Sequence, residues 1–533
     1  MLSRKKSLFV LFFLVVLILG IYFRFHYIDL TRFEHEMVRD VELGGRVLEG
    51  EYPLHGVLPS VESTAQNTFG PLSYYLMAIG LFFAPDNYSY PISAIFVIAL
   101  LDILGAFIAY QIGKEFFGPT VGLLTFSFYL LSPWQIIHVA TVLSPTSFLP
   151  IFVLLFFYSV FKLVLHNEDV YVIPAIVFLA LQMHLHLTSF LLAFAFLIIL
   201  VLFKRNFNKT YFALGILLAL LTFTPYLVEN LPDKVIASQY TLATQRAEST
   251  LLQTTLESFG VPVLFMTPHL GAFTLGKTVS LFQQTSSEYL FFMITGIFIL
   301  LFIGSVVYFL RKLSKELPRS FISLKQTLSV LNNSLQNNKT FRKYSLLFIL
   351  LVLPLLVYSI KGSNVTPHYF IIVFPLQIVL LSIFLVHLLK KKYITTLLVI
   401  LLLLLSNAIY LHSYYSFVES NGGTKGITGI PYANKMEVVE YILQDGEEEL
   451  PIVYYVGQKP LTQSMNYLLE LNGRERNYKV ITSLEEFDKG YLILDRYSFY
   501  STFTNAKLPI EDYPAIDALE PNSFKHLEVI KKA

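Results

Sequence analysis

Cysteine is absent from the 533 residues. Disulfides, thiolate nucleophiles, Fe–S clusters and cysteine-based zinc sites are excluded together. Charge is scarce: 14% of residues are Asp, Glu, Lys or Arg, against about 25% in a soluble globular domain. Those charges balance to +2, so no nucleic acid or other strongly charged partner is implied. No strand leads into a Gly-rich loop and helix able to hold a nucleotide diphosphate. No internal repeat is visible, which argues against an inverted-repeat transporter.

Apolar surface is what the chain has in excess. Hydrophobic residues make up 55%, mean hydropathy is +0.60, and there are 48 Phe and 33 Tyr. They cluster in runs long enough to face lipid. Spans are expected at 7–24, 91–112, 120–138, 147–165, 170–185, 187–203, 211–228, 289–310, 344–360, 366–389 and 394–413, about eleven transmembrane helices. The first is read as an uncleaved span, because it is too long for a signal-peptide core. Pro71–Phe83 is too short to cross and is read as re-entrant or interfacial.

Charge between the spans tests this count. With the N-terminus inside, the inner segments carry Arg4-Lys5-Lys6, Lys114, Lys204-Arg205, Lys209, the loop 311–343 and Lys390-Lys391-Lys392. The outer segments include a first loop at 25–90 and a later one at 229–288, with mixed or sparse charge. The fold class is therefore a polytopic α-helical membrane protein of the cell membrane, with a transmembrane domain over 1–413. Residues 414–533 read as a small extracytoplasmic α/β domain, with helices at Lys435–Leu443 and Thr462–Leu471. Its strands are expected at Pro451–Val456, Tyr478–Thr482 and Tyr491–Leu494, with Phe524–Ile530 closing the sheet. It contains no phosphate loop, metal-ligand spacing or nucleophile–base pair.

The first outer loop carries the strongest chemical signal. In Phe33–Leu48, the residues Phe33, Met37, Val41, Gly44 and Leu48 fall at helical steps and form one apolar face. Glu36 and Asp40 are four apart, so two carboxylates share a neighbouring face, with Arg39 and Arg46 close by. At a membrane boundary a carboxylate can take a proton from an acceptor, and an arginine can hold a phosphate. The same spacing also suits an ordinary interfacial helix with solvated charges.

Other polar residues stand in apolar surroundings. Asp102, inside the second span, is read as structural, with a Ser, Thr or Tyr partner on a neighbouring span. His184 and His186 are two apart, which does not suit a helical metal pair; one would face an outer cavity and the other pack. Lys361 and His368 stand at an outer boundary, where they would hold a phosphate or close a helix end. Glu62 and Gln66 lie in the first loop, where they would contact acceptor or solvent.

An ordered series of motifs resembles the GT-C superfamily. The likeness is to its family-39-like transferases, which include the protein O-mannosyltransferases, the aminoarabinose transferase of lipid A and the lipopolysaccharide-core galacturonosyltransferase-like enzymes. The motifs are Glu36-Met-Val-Arg39-Asp40, Gly44–Pro53, Phe69-Gly-Pro-Leu-Ser-Tyr-Tyr-Leu76, Gly113-Lys-Glu-Phe-Phe-Gly118, Leu131-Ser-Pro133, Leu143–Pro150, His184-Leu-His-Leu-Thr188 and His368–Pro375. Together they run over roughly residues 5–390. The resemblance implies a membrane glycosyltransferase that moves a sugar from a polyprenyl phosphate to an extracytoplasmic lipid, glycan or protein, with inversion. It makes Glu36 or Asp40 the catalytic base. Arg39, Arg46, Lys361, His368 and His186 become candidates for binding donor phosphate or acceptor. Glu36 replaces the usual Asp, and the second outer loop lacks the acid many relatives carry, so no metal or other cofactor is expected. The other readings are a lipid-linked sugar flippase or transporter, and an O-antigen-type ligase or polymerase.

Overall fold

Backbone groups in hydrocarbon must be satisfied within their own segment, so apolar runs fold as helices. The computed structural model describes residues 2–54, 56, 70–203, 208–230, 255, 258–260, 263, 265–267, 287–315, 333–361, 367–423, 430–447, 449–455, 459–481, 486–495, 522–524 and 527–532. Fourteen described helices precede the C-terminal part: α1 (Leu2–Phe25), α2 (His35–Leu48), α3 (Leu72–Phe82), α4 (Tyr90–Ile112), α5 (Pro119–Leu130), α6 (Pro133–Thr141), α7 (Leu149–Phe161), α8 (Val172–Leu185), α9 (Ser189–Phe203), α10 (Lys209–Asn230), α11 (Ser287–Lys315), α12 (Lys339–Lys361), α13 (Phe374–Lys391) and α14 (Tyr393–Asn421).

Among the described residues, seven helices are long and apolar enough to cross a membrane: those containing α4, α7, α10, α11, α12, α13 and α14. The apolar stretches of α1, α5, α8 and α9 are shorter. The expected span at 120–138 is broken at Leu131–Ser132. The residue before a proline is pushed out of the α region, and Ser132 has ψ 121° ahead of Pro133. Its hydroxyl accepts from Gln135 N at 3.3 Å, capping α6. The expected last span continues through the 413/414 boundary to Asn421, and a left-handed Gly422 (φ 73°) stops it. Tyr414 and Tyr415 are thus buried helical residues rather than the start of a separate unit.

In the described parts of 25–90, α2 packs against α3. α3 lies so close to α4 that a Cβ on Gly80 would stand 2.4 Å from the Ser93 carbonyl oxygen. Only a glycine permits this approach, as at other close membrane-helix contacts.

C-terminal to the bundle are α15 (Tyr432–Asp445), α16 (Lys459–Leu471) and a five-stranded sheet of order β2-β1-β3-β5-β4. β1 (Ile452–Tyr455) is parallel to β2 (Tyr478–Ile481) and β3 (Gly490–Asp495). The expected single strand at 524–530 is instead two, β4 (Asn522–Phe524) and β5 (Leu527–Lys532). They pair antiparallel, and β5 also runs antiparallel to β3.

Candidate functional site

α2 forms where the periodicity places it. Phe33, Met37, Val41 and Gly44 are buried, while Leu48, the last residue of the helix, is exposed. One side packs on α3 and another on α16. The C-terminal helices clamp this loop at several points. Tyr432 N donates to Thr31 O at 2.7 Å, the Tyr432 hydroxyl to Tyr88 O at 2.5 Å, and Lys435 Nζ to Phe33 O and to Ser464 Oγ (2.7 Å). The Phe33 ring meets Tyr432 edge-on at 5.6 Å.

The two carboxylates of α2 have different surroundings. The Glu36 side chain is 43% exposed, with Arg32 Nη2 3.7 Å away. Asp40 is 2% exposed and accepts from Arg39 Nε (2.9 Å) and Nη2 (2.8 Å) on one oxygen. Burial pushes its carboxyl up to about 7, against the lowering pull of Arg39. Tyr74 of α3 is fully buried and has its own acidity weakened by burial and by the Asp40 charge. Asp40 thus faces the α2–α3 seam, whereas Glu36 and the outer part of Arg39 (39% exposed) can meet a ligand.

The remaining expected residues are dispersed. Arg46 is 57% exposed and 3.9 Å from Glu51, a contact worth little in water. His186 follows the end of α8. Its Nδ1 accepts from Thr188 N at 3.2 Å and lies 2.8 Å from Thr188 Oγ1. Burial, with His368 alongside, lowers its pKa to about 3. The neutral ring therefore carries its proton on Nε2, giving one hydrogen-bond donor and no charge. The His368 ring stands edge-on at 5.3 Å. His184 packs on Gly70, ahead of α3, and stacks on Phe223 at 4.1 Å. The ends of α8 and α3 thereby meet beside the turn Pro145–Phe148, where Ser144 Oγ is 2.7 Å from Thr146 Oγ1. Lys361 ends α12, and its side chain lies outside the described residues, as do Glu62 and Gln66. Among the described residues, no three of His, Asp or Glu gather to hold a metal.

Two arginines were not singled out from the sequence. Arg32 precedes α2 and flanks Glu36. Arg24, at the end of α1, is the partner of Asp102: Nε and Nη2 donate to Oδ2 at 2.8 and 2.6 Å. Tyr129 (2.8 Å) and Gln135 (2.5 Å) donate to the other oxygen, so the expected tyrosine is present. Arg24 Nη1 also donates to Leu130 O at 2.8 Å, closing the end of α5 where the span breaks. An acid inside a membrane demands a counter-charge, and Arg24 was a visible candidate.

A family model described as dolichyl-phosphate-mannose-protein mannosyltransferase matches residues 70–228. No curated protein sequence matches significantly. Among solved structures, ArnT from Cupriavidus metallidurans in the apo state aligns over 99% of this chain and 98% of its own, with TM-score 0.54 and 11% identity. The same protein bound to undecaprenyl phosphate gives 0.55 with the same coverage and identity. The Archaeoglobus fulgidus oligosaccharyltransferase tethered to an acceptor peptide gives 0.50 at 10% identity, over 95% of this chain and 72% of its own. The GT-C likeness read from the sequence thus holds at the level of the fold.

Proposed function

We propose that this GT-C membrane protein is a glycosyltransferase that moves a sugar from a polyprenyl-phosphate-linked donor to an extracytoplasmic acceptor. The observation that carries the reading is the accessible Glu36 carboxylate on α2, with Arg32 beside it and the Arg39 that Asp40 grips one turn along the helix. The ArnT fold, seen elsewhere with undecaprenyl phosphate bound, supports the donor class. Glu36 accepts the proton of the acceptor hydroxyl or amine as that atom attacks the anomeric carbon. The bond from anomeric carbon to phosphate oxygen breaks, and the lipid phosphate leaves with the electron pair. Arg39 and Arg32 stabilise the charge on that phosphate. Asp40 is a positioning residue that fixes the Arg39 fork. A donor whose tail stays in lipid avoids the cost of extracting it, about 0.8 kcal/mol per CH₂.

The bundle crosses the membrane about eleven times, with α2 and the C-terminal sheet outside and the lysine-rich segments inside. Single cysteines at Glu475, an exposed residue near β2, and at Lys391 test this in a chain that has none. An impermeant thiol reagent should label Glu475→Cys in intact cells and leave Lys391→Cys unmodified; the reverse pattern overturns the orientation. The activity is tested with purified protein in liposomes offered polyprenyl monophosphate sugars or nucleotide sugars and a panel of acceptors. Transfer is expected from the lipid donors alone. Transfer from a nucleotide sugar without a lipid intermediate refutes the mechanism.

A further inference from the structure

At the far end of α4 and α7 from the first loop, both helices leave α-helical geometry through one wide π turn, Gly113–Phe117 and Lys162–His166. Such turns are rare and recur at functional sites. These two stand together: Glu115 Oε1 is 2.7 Å from Lys162 Nζ and 3.3 Å from His166 Nδ1. The first turns of α12 close a third side. Between the three segments is a cavity of about 230 Å³, lined by Glu115, Phe116, His166, Lys339, Arg342 and Lys343 among others. α4 is 23 residues long; at 1.5 Å per residue this places the cavity about 34 Å from the start of that helix, where the first loop packs. It is separate from the Glu36 site.

Its charges are unequally matched. Glu115 is answered by Lys162, which also reaches Glu168 at 3.3 Å. Arg342 is 9% exposed, and among the described residues its guanidinium donates to carbonyl oxygens: Leu335 (2.8 Å), Val164 (3.4 Å) and Gln336. Lys343 Nζ donates to Phe116 O at 3.1 Å and sits 5.0 Å over the Phe117 ring. Among the described residues, no carboxylate pairs with Lys339, Arg342 or Lys343. Carbonyl dipoles ease a buried guanidinium without neutralising it, and opposite charge is worth more there than in water. The cavity thus combines three cations, one of them buried, with aromatic rings at the end of a membrane bundle.

We propose that this pocket binds a phosphate headgroup from the membrane, with the phosphate on Lys339 and Lys343 above Arg342, and Phe116 and Phe117 flanking the path of the acyl chains. Inorganic phosphate offers the same head chemistry without the tail. The test uses full-length protein in detergent, with thermal unfolding followed against added phosphatidylglycerol, phosphatidylcholine or inorganic phosphate at matched ionic strength. The partner variant is Lys339→Gln/Lys343→Gln, which leaves the carbonyl-bonded Arg342 in place. Phosphatidylglycerol should stabilise the parent protein and phosphatidylcholine should not. Half-saturation should move to about fivefold higher concentration for each lysine removed. Stabilisation by phosphate but not by the lipid would assign the same pocket to the free anion. A double variant responding like the parent, or no shift with either ligand, would overturn the proposal.

Discussion

Two arginine–aspartate pairs stand among the described residues, and they differ in what else they touch. Arg24 and Asp102 are sealed in the bundle, at 0% and 1% side-chain exposure, with hydrogen bonds to α1, α4, α5 and α6. Arg39 and Asp40 bind each other as closely, yet Arg39 is 39% exposed and stands one turn from the accessible Glu36. The sealed pair is saturated by hydrogen bonds, so it holds helices. The open pair leaves guanidinium donors facing outward, so it can hold a ligand. Distance from water, rather than residue type, separates scaffold from candidate site here.

The largest effect is expected at the open site. Glu36→Gln keeps shape and removes the basic carboxylate, and loss of a general base costs about 10²–10⁴-fold in rate. Transfer measured on protein with parental thermal stability should fall by that much; near-parental transfer would remove Glu36 from the chemistry and return the role to Asp40.

The sealed pair should answer in stability instead. Asp102→Ala leaves Arg24 buried without its counter-charge, and breaking one side of a buried pair costs about 3–5 kcal/mol. Unfolding in detergent should show that loss. The double change Arg24→Leu/Asp102→Leu should cost less than the single one, because no charge is stranded. A single variant as stable as the parent would show that the pair does not hold the bundle.

The smallest effect is a pH dependence that distinguishes Asp40 from both neighbours. Its folded pKa of about 7 lies above the ordinary 3.8. The associated stability is therefore complete below the ordinary value and is lost as pH rises through the folded one. Asp40→Asn does not titrate, so it should gain on the parent between pH 4 and pH 8, by at most about 4 kcal/mol at 1.36 kcal/mol per unit. Thermal melts at several pH values read the difference directly. A variant that loses ground as pH rises would mean that the pairing with Arg39 outweighs burial.

What the sequence determined by itself was whatever depends on local pattern and on solvent. Runs of apolar residues had to be helices in lipid, because their backbone has no other partner there. The steps of three and four from Phe33 to Gly44 had to give α2 one buried face. The ordered motifs carried the fold likeness because they are local strings at the ends of helices. Tertiary structure decided what depends on depth and on distant partners. Glu36 and Asp40 sit one turn apart on the same helix, yet α3 covers one and leaves the other open. Arg24 and Asp102 are 78 positions apart, so only packing could pair them. Ser132 broke a run that hydropathy read as continuous, because a cap and a proline act on the backbone, which a hydropathy average does not register.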